Sequence, residues 1–305
     1  MARKHRLAYG DMSLLDFQRR FPEEADCQAY LLSRRFSSGF SCPYCTSTHF
    51  GTVSTRGLLR CKVCRKQFSV TSGTCFHRTR TSLREWFWAI FLVVKDKRGH
   101  SALQLSKELG IPYARAWFIL QKLKVAMAWR DSQYKLSGQV ELDDAYFGAP
   151  DRQGGKGRKT TRAKVFVAVS ITDDEKPRFV KMLVVKRLDS RYVAKFAEKE
   201  IEPGATVRTD GLAIYNVLAT SYKHEPIVAK GKPKDAVSHW VHIVISNAKG
   251  FIDGTFHGLD EKHLQRYLDE FCYRFNRRYR ESELFDRLLG ACIEAPPTSY
   301  GELTE

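Results

Sequence analysis

The sequence predicts an α/β protein in which a small cysteine-rich module and a helical region precede a larger strand-and-helix domain, and three observations support this. Two C-x-x-C pairs, Cys42/Cys45 and Cys61/Cys64, lie in the first quarter of the chain. Residues 83–129 follow a helical pattern broken at 98–100 and 110–112, which implies three helices. After Gly138 the pattern turns to strands at 140–147, 164–171 and 179–185, followed by a helix at 191–201, a short strand at 206–209 and a helix from Ala213. Three strands, a helix, a strand and a helix is the order in which an RNase H-like fold begins.

The remaining elements are read in the same way. Leu14, Phe17, Phe21, Ala29 and Leu32 recur at helical spacing across two short helices broken at Pro22. Residues 36–80 are rich in Cys, Ser, Thr, Gly and Arg, which suits short strands and turns rather than a self-sufficient core. Residues 261–279 are helical, aromatic and basic. The expected organisation is a helical lead-in over 1–35, a zinc ribbon over 36–80 and a helix-turn-helix-like region over 81–135. An RNase H-like domain over 138–290 and a tail over 291–305 complete it.

At 305 residues, 43% hydrophobic and 12% aromatic, the chain can bury a substantial core. Lys and Arg number 51 against 34 Asp and Glu, a formal charge of +17 with a pI near 9.6, which favours a polyanionic partner such as nucleic acid or an anionic membrane. The longest apolar run, residues 86–94, is far short of the roughly 20 residues that span a bilayer. The basic N-terminus lacks the apolar stretch of a secretory signal, so the expected location is the cytoplasm or nucleoid, with reduced thiols.

The two C-x-x-C pairs are separated by 15 residues. Each pair supplies two thiolates from one tight knuckle, and two knuckles complete a closed tetrahedral shell, so Cys42, Cys45, Cys61 and Cys64 are expected to hold a structural Zn2+. Disulfides or a redox pair fit a reduced compartment poorly. In the helical middle, a helix at 102–109, a Gly110-Ile111-Pro112 turn and a helix at 113–127 suggest a helix-turn-helix. Arg115, Lys122 and Lys124 would face DNA while Ala116, Ile119, Leu120 and Leu123 pack inward. An ordinary helical hairpin with a solvated basic face fits equally well.

Three acids, Glu141, Asp143 and Asp144, interrupt what otherwise reads as a buried central strand. Carboxylates there cost several kcal/mol unless paired or bound to metal. By alternation Glu141 and Asp143 share one face while Asp144 shares the other with Leu142, which places Asp143 at the active edge. Asp210, in Thr209-Asp210-Gly211, ends the fourth strand segment. First and fourth strands are neighbours in an RNase H-like sheet, so Asp143 and Asp210 are expected to bind the same pair of Mg2+ or Mn2+ ions.

With these residues in place, the chain resembles insertion-sequence transposases of the DDE type, in the ISXO2-like group that carries an N-terminal zinc ribbon and often has Asn at the third acidic position. The resemblance runs from Gly39-Phe40-Ser41-Cys42-Pro43-Tyr44-Cys45 through Glu141-Leu142-Asp143 and Thr209-Asp210-Gly211. It continues in His242 to Lys249, Gly254-Thr-Phe-His-Gly258 and Lys262 to Phe271. It implies that Asp143 and Asp210 are metal ligands, that Asn247 is the third catalytic residue and that Lys249 holds DNA near the scissile phosphate. In relatives with a third Glu, the Lys follows it by two helical turns, a spacing that here leads from Lys249 back to His242. His242 and Asn247 are about 140° apart on a helix and do not both face the metals; Asn247 is favoured, with His242 in reserve.

The segment 152–164 joins the first two strands with six basic residues and three glycines. Lys156, Arg158, Lys159 and Arg162 in it are expected to contact DNA phosphates. Lys230, Lys232 and Lys234 form a second basic patch, and Arg274, Arg277, Arg278 and Arg280 a third. The expected function is recognition of the element's terminal inverted repeats through the zinc ribbon and helix-turn-helix, then metal-dependent cleavage and strand transfer into target DNA; the resemblance implies at least a homodimer to pair two ends. A DNA-binding regulator with a decayed catalytic domain is the rival expectation, and a nuclease without strand transfer is a third.

Overall fold

The computed structural model describes residues 12–53, 57–148, 162–227, 239–256, 259 and 261–304. In chain order the elements are α1 (Leu14–Arg20), α2 (Glu24–Arg35), β1 (Phe50–Val53), β2 (Leu58–Cys61), β3 (Gln67–Phe68), α3 (Leu83–Lys95), α4 (Ala102–Leu109) and α5 (Tyr113–Asp131). There follow β4 (Gln139–Phe147), β5 (Ala163–Ile171), β6 (Pro177–Val185), α6 (Ser190–Glu200), β7 (Thr206–Thr209), a 3-10 helix (Ala213–Thr220), β8 (Lys223–Pro226), α7 (His239–Thr255), α8 (Glu261–Phe275), α9 (Leu284–Glu294) and α10 (Tyr300–Thr304). They form two compact units, residues 1–126 with 279–305, and residues 127–278.

Local chemistry starts and stops the helices of the first unit. Ser13 with Asp16 and Ser82 with Glu85 form capping boxes at α1 and α3, each side chain taking up a backbone N–H that the helix itself leaves unpaired. Ser101 caps α4, which ends at Gly110 in the left-handed region (φ 62°) that glycine adopts without strain. The core is aromatic: Phe17 lies 4.4 Å from Phe91 and 5.5 Å from Phe285, and Phe21 5.0 Å from Phe87, centroid to centroid. Phe285 belongs to α9, so the chain after residue 278 folds into this aromatic core. The boundaries expected at 138–290 and 291–305 are corrected accordingly: α9 contributes to the first unit and residues 291–305 include the helix α10.

The second unit is built on a five-stranded sheet in the order β6-β5-β4-β7-β8. The first three strands pair antiparallel, whereas β4 with β7 and β7 with β8 are parallel. This is the RNase H-like sheet, with β4 at its centre. One face packs Val165, Val167 and Val169 against α7 and α8, and the other packs Phe166 and Ala168 against α6 and the 3-10 helix. Because β5 is covered on both sides, it reads as a continuous apolar run rather than an alternating one.

A buried polar cluster ties the sheet to the end of α5. Arg277 meets Asp131 at 2.7 Å with both side chains below 10% exposed, and Asn276 accepts from the Val180 N–H while donating to Asp131. Arg274 pairs with Glu270, and Arg278 donates to the Arg178 carbonyl. The basic run expected to meet DNA is therefore corrected at these three positions: the guanidinium groups satisfy buried or local acceptors. Replacing Arg277 by Met leaves Asp131 charged and buried, and is expected to lower unfolding stability by about 3–5 kcal/mol in urea titration. A loss under 1 kcal/mol would show that the pair is dispensable.

Candidate active site and metal centre

The four ribbon cysteines converge. Cys42 and Cys45 leave the turn before β1, Cys61 ends β2 and Cys64 lies in the turn before β3. All four sulfurs lie within 4.8 Å of one another, with Cys42 to Cys64 at 3.7 Å and Cys45 to Cys61 at 3.6 Å. A tetrahedral Zn–S4 shell has sulfurs about 3.8 Å apart, so the donor set fits zinc. Against desolvation, the backbone N–H groups of Cys64 and Val63 bring the Cys61 thiol down to about 6, toward the thiolate that a metal requires. Around this centre Phe40, Leu59 and Phe68 join the buried Cys42 and Cys61, with half-buried Leu32, Phe36 and Phe50 packed against them, a small core to hold the segment without the ion.

In the second unit the acidic strand resolves residue by residue. Glu141 is buried on the α7 face, and its Oε2 accepts the N–H groups of Trp240 at 3.0 Å and Val241 at 2.9 Å. Burial raises the pKa of this carboxyl, while the two amides pull it down. Glu141 thus compensates the start of α7, where unpaired N–H groups and the helix dipole favour a negative charge. Sequence reasoning gave it no duty; its place two residues before Asp143 on the same face was the available signal. Asp144 turns to the opposite face and accepts from the Tyr215 hydroxyl at 3.2 Å.

Asp143 has no such compensation. It accepts the N–H of Asp144, and His242 Nδ1 stands 3.6 Å from its Oδ2. Burial, together with the charges of Asp144 and Asp210, pushes its carboxyl up to about 7. β4 and β7 pair in parallel with Glu141 opposite Arg208, so two residues further on Asp143 stands level with Asp210, just past the end of β7. Asp210 accepts from the Leu212 N–H at 3.2 Å. Two carboxylates side by side on neighbouring strands, one of them largely buried, form a donor set that suits hard divalent cations.

On α7, Val241, Val244, Ile245 and Ala248 pack on the sheet. His242 is half exposed and reaches toward Asp143. Lys249, two turns on, places Nζ 5.8 Å from the centre of the Phe147 ring at the end of the same strand. Asn247 is exposed, about 140° around the helix from His242. Of the other expected contacts, Arg162 directly precedes β5, whereas Lys156, Arg158 and Lys159, like Lys230, Lys232 and Lys234, lie outside the described residues. Arg115 is exposed and 3.4 Å from Glu85. Lys122 is corrected: it is 4% exposed and donates to the Cys75 carbonyl at 2.6 Å, and Lys124 is equally buried, so this stretch of α5 cannot offer either ammonium to DNA.

Residues 135–276 match the family model of the ISXO2-like transposase domain, and residues 22–67 match that of the transposase zinc-ribbon domain. A protein described as uncharacterized, in the transposable element ISH50 of Halobacterium salinarum, is 26% identical over 217 residues, 65% of this chain and 71% of its own length. Among solved structures, the Mos1 strand transfer complex aligns at a TM-score of 0.29 and 13% identity over 70% of this chain and 78% of that one. A pre-cleavage Mos1 transpososome aligns at 0.25 and 9%, over 67% and 78%. At those scores the likeness is too slight to build on.

A carboxyl that holds its proton to about 7 when folded, against 3.8 when unfolded, takes up a proton on folding between those values. Its contribution to stability falls as pH rises from 4 to 7 and stays low above. Asp143→Asn removes that penalty. With chelator present it is expected to melt on the order of 10 °C above the parent at pH 8 and level with it at pH 4; equal melting temperatures at pH 8 would refute the reading. Glu141→Ala is expected to speed hydrogen exchange at the Trp240 and Val241 amides by about tenfold or more, and unchanged exchange would show that α7 does not need this cap.

Proposed function

We propose, for a chain that is a transposase of the ISXO2-like group with an N-terminal zinc ribbon, that it binds the terminal inverted repeats of its element and cuts and rejoins DNA at a divalent-metal site held by Asp143 and Asp210. The observation that carries this is the level placement of these two acids on adjacent parallel strands, with Asp143 left short of positive partners by the fold. A pair of Mg2+ or Mn2+ ions there would activate a water or 3′-hydroxyl and stabilise the leaving oxygen at phosphorus.

The chain's own side chains orient that chemistry. Glu141 fixes the first turn of α7, the turn that carries His242 toward Asp143. We assign the third position to His242 rather than Asn247, because its ring approaches the acid while Asn247 points elsewhere around the helix. Lys249, on the His242 face, is placed to hold a phosphate beyond Phe147. Neither His nor Asn carries the charge of Glu, so the ion nearest this position is held more loosely. Pairing two ends calls for at least two copies on DNA.

The test is cleavage of an inverted-repeat duplex with Mg2+ or Mn2+. Asp143→Ala and Asp210→Ala are expected to lower cleavage by about two to three orders of magnitude with DNA affinity retained. His242→Ala should cost at least about tenfold more than Asn247→Ala; the reverse order returns the role to Asn247. Binding without any cleavage by the parent would mark a regulator with a decayed site, and free ends without joined product would mark a nuclease.

A further inference from the structure

Between Asp26 and Glu85 the chain contains ten Lys and Arg residues and no Asp or Glu. Most of this span is the zinc ribbon, whose charged side chains other than the metal-ligand thiols are therefore all basic. The sheet then concentrates that charge. Leu59 and Cys61 turn to the core, and Arg60 to the outside. Directly across from Arg60 on β1 stands Gly51. No positive φ calls for a glycine at that position; what it leaves is space, since a Cβ built there would meet only the end of the Lys62 side chain, at 4.0 Å. The result is a cleft of about 260 Å³ lined by Arg60, Lys62 and Arg65 together with Gly51, Thr52, Val53 and the zinc-ligand candidate Cys61. The three cations are exposed, and none is ion-paired among the described residues.

We propose that this hollow on the outer face of the ribbon holds the phosphate backbone of duplex DNA, with Arg60, Lys62 and Arg65 as its ligands. The proposal rests on the transposase reading for the identity of the polyanion, and deepens it by naming where the ribbon touches DNA. Three converging donors around a floor without a side chain admit a tetrahedral anion closely, and Arg offers it two parallel hydrogen bonds. No base edge is read by such a contact, so the ribbon supplies grip and leaves sequence choice to other elements. The competing duty of these cations is to balance the double negative charge of the zinc–thiolate centre beside them.

The experiment measures affinity for an element-end duplex and a shuffled duplex by fluorescence anisotropy across a salt series, with zinc content measured for each variant. For the triple variant R60A/K62A/R65A, affinity for both duplexes is expected to fall equally, by about tenfold or more. The slope of log affinity against log salt should become shallower by about 2–3, near 0.9 per lost phosphate contact, with one zinc retained per chain. Gly51→Val fills the hollow without changing charge and is expected to weaken both duplexes by at least about threefold; as a β-branched residue in a strand it should fold. Unchanged affinity and slope in the triple variant, a loss confined to the element-end duplex, or loss of zinc would each overturn the proposal. The parent separates this from the reading above: a parent that binds neither duplex sinks both, whereas a parent that binds while the triple variant binds equally well sinks only this one.

Discussion

A strand covered on both faces has no room for an uncompensated charge, and β4 carries three carboxylates within four residues. The second unit is arranged around that constraint. Glu141 is satisfied by two amides at the start of α7 and Asp144 by the Tyr215 hydroxyl from the other face. Asp143 keeps a carboxyl pushed up to about 7 with no amide pair to offset its burial, and the adjacent strand brings Asp210 level with it. On the function proposed above, such a site is costly to the apo fold and would be stabilised by a cation, the usual relation between a functional site and the stability around it. The same carboxylate pattern also sets α7 in place, because the helix that carries His242 and Lys249 begins on Glu141.

The ribbon solves the opposite problem. It has too little apolar surface to fold by burial alone, so its four thiolates and one ion supplement a small core, and the charged side chains on its surface are basic. Arg35 donates to the Val70 and Ser72 carbonyls, adding hydrogen bonds to the packing of Leu32 and Phe36 on the ribbon. Positive charge is thus exposed where metal does the folding. Where side chains do it, some of that charge is internal: Lys122 and Arg277 both end on buried acceptors.

Much of this was legible in the residues. Cys42, Cys45, Cys61 and Cys64 announce their cluster because metal-ligand spacing is a local property of the chain. The strands β4 to β7 were readable from apolar periodicity, and the acids of β4 stood out against it. β8 was not, since Lys-His-Glu-Pro has no apolar alternation and becomes a strand only through pairing with β7. The role of α9 was hidden for a similar reason: Phe285 looks like any helical apolar residue until it is seen among Phe17, Phe21 and Phe87.

By itself the sequence determined the element types, the thiolate set and the two acids that stand side by side, because each depends on short-range spacing or on a pattern repeated along one element. Tertiary structure alone decided which cations reach solvent, which residue of α7 turns to Asp143, and what Glu141 is for. Those depend on how one element rotates against another, and a rotation of a helix by 140° or the burial of one lysine leaves no mark on composition or period.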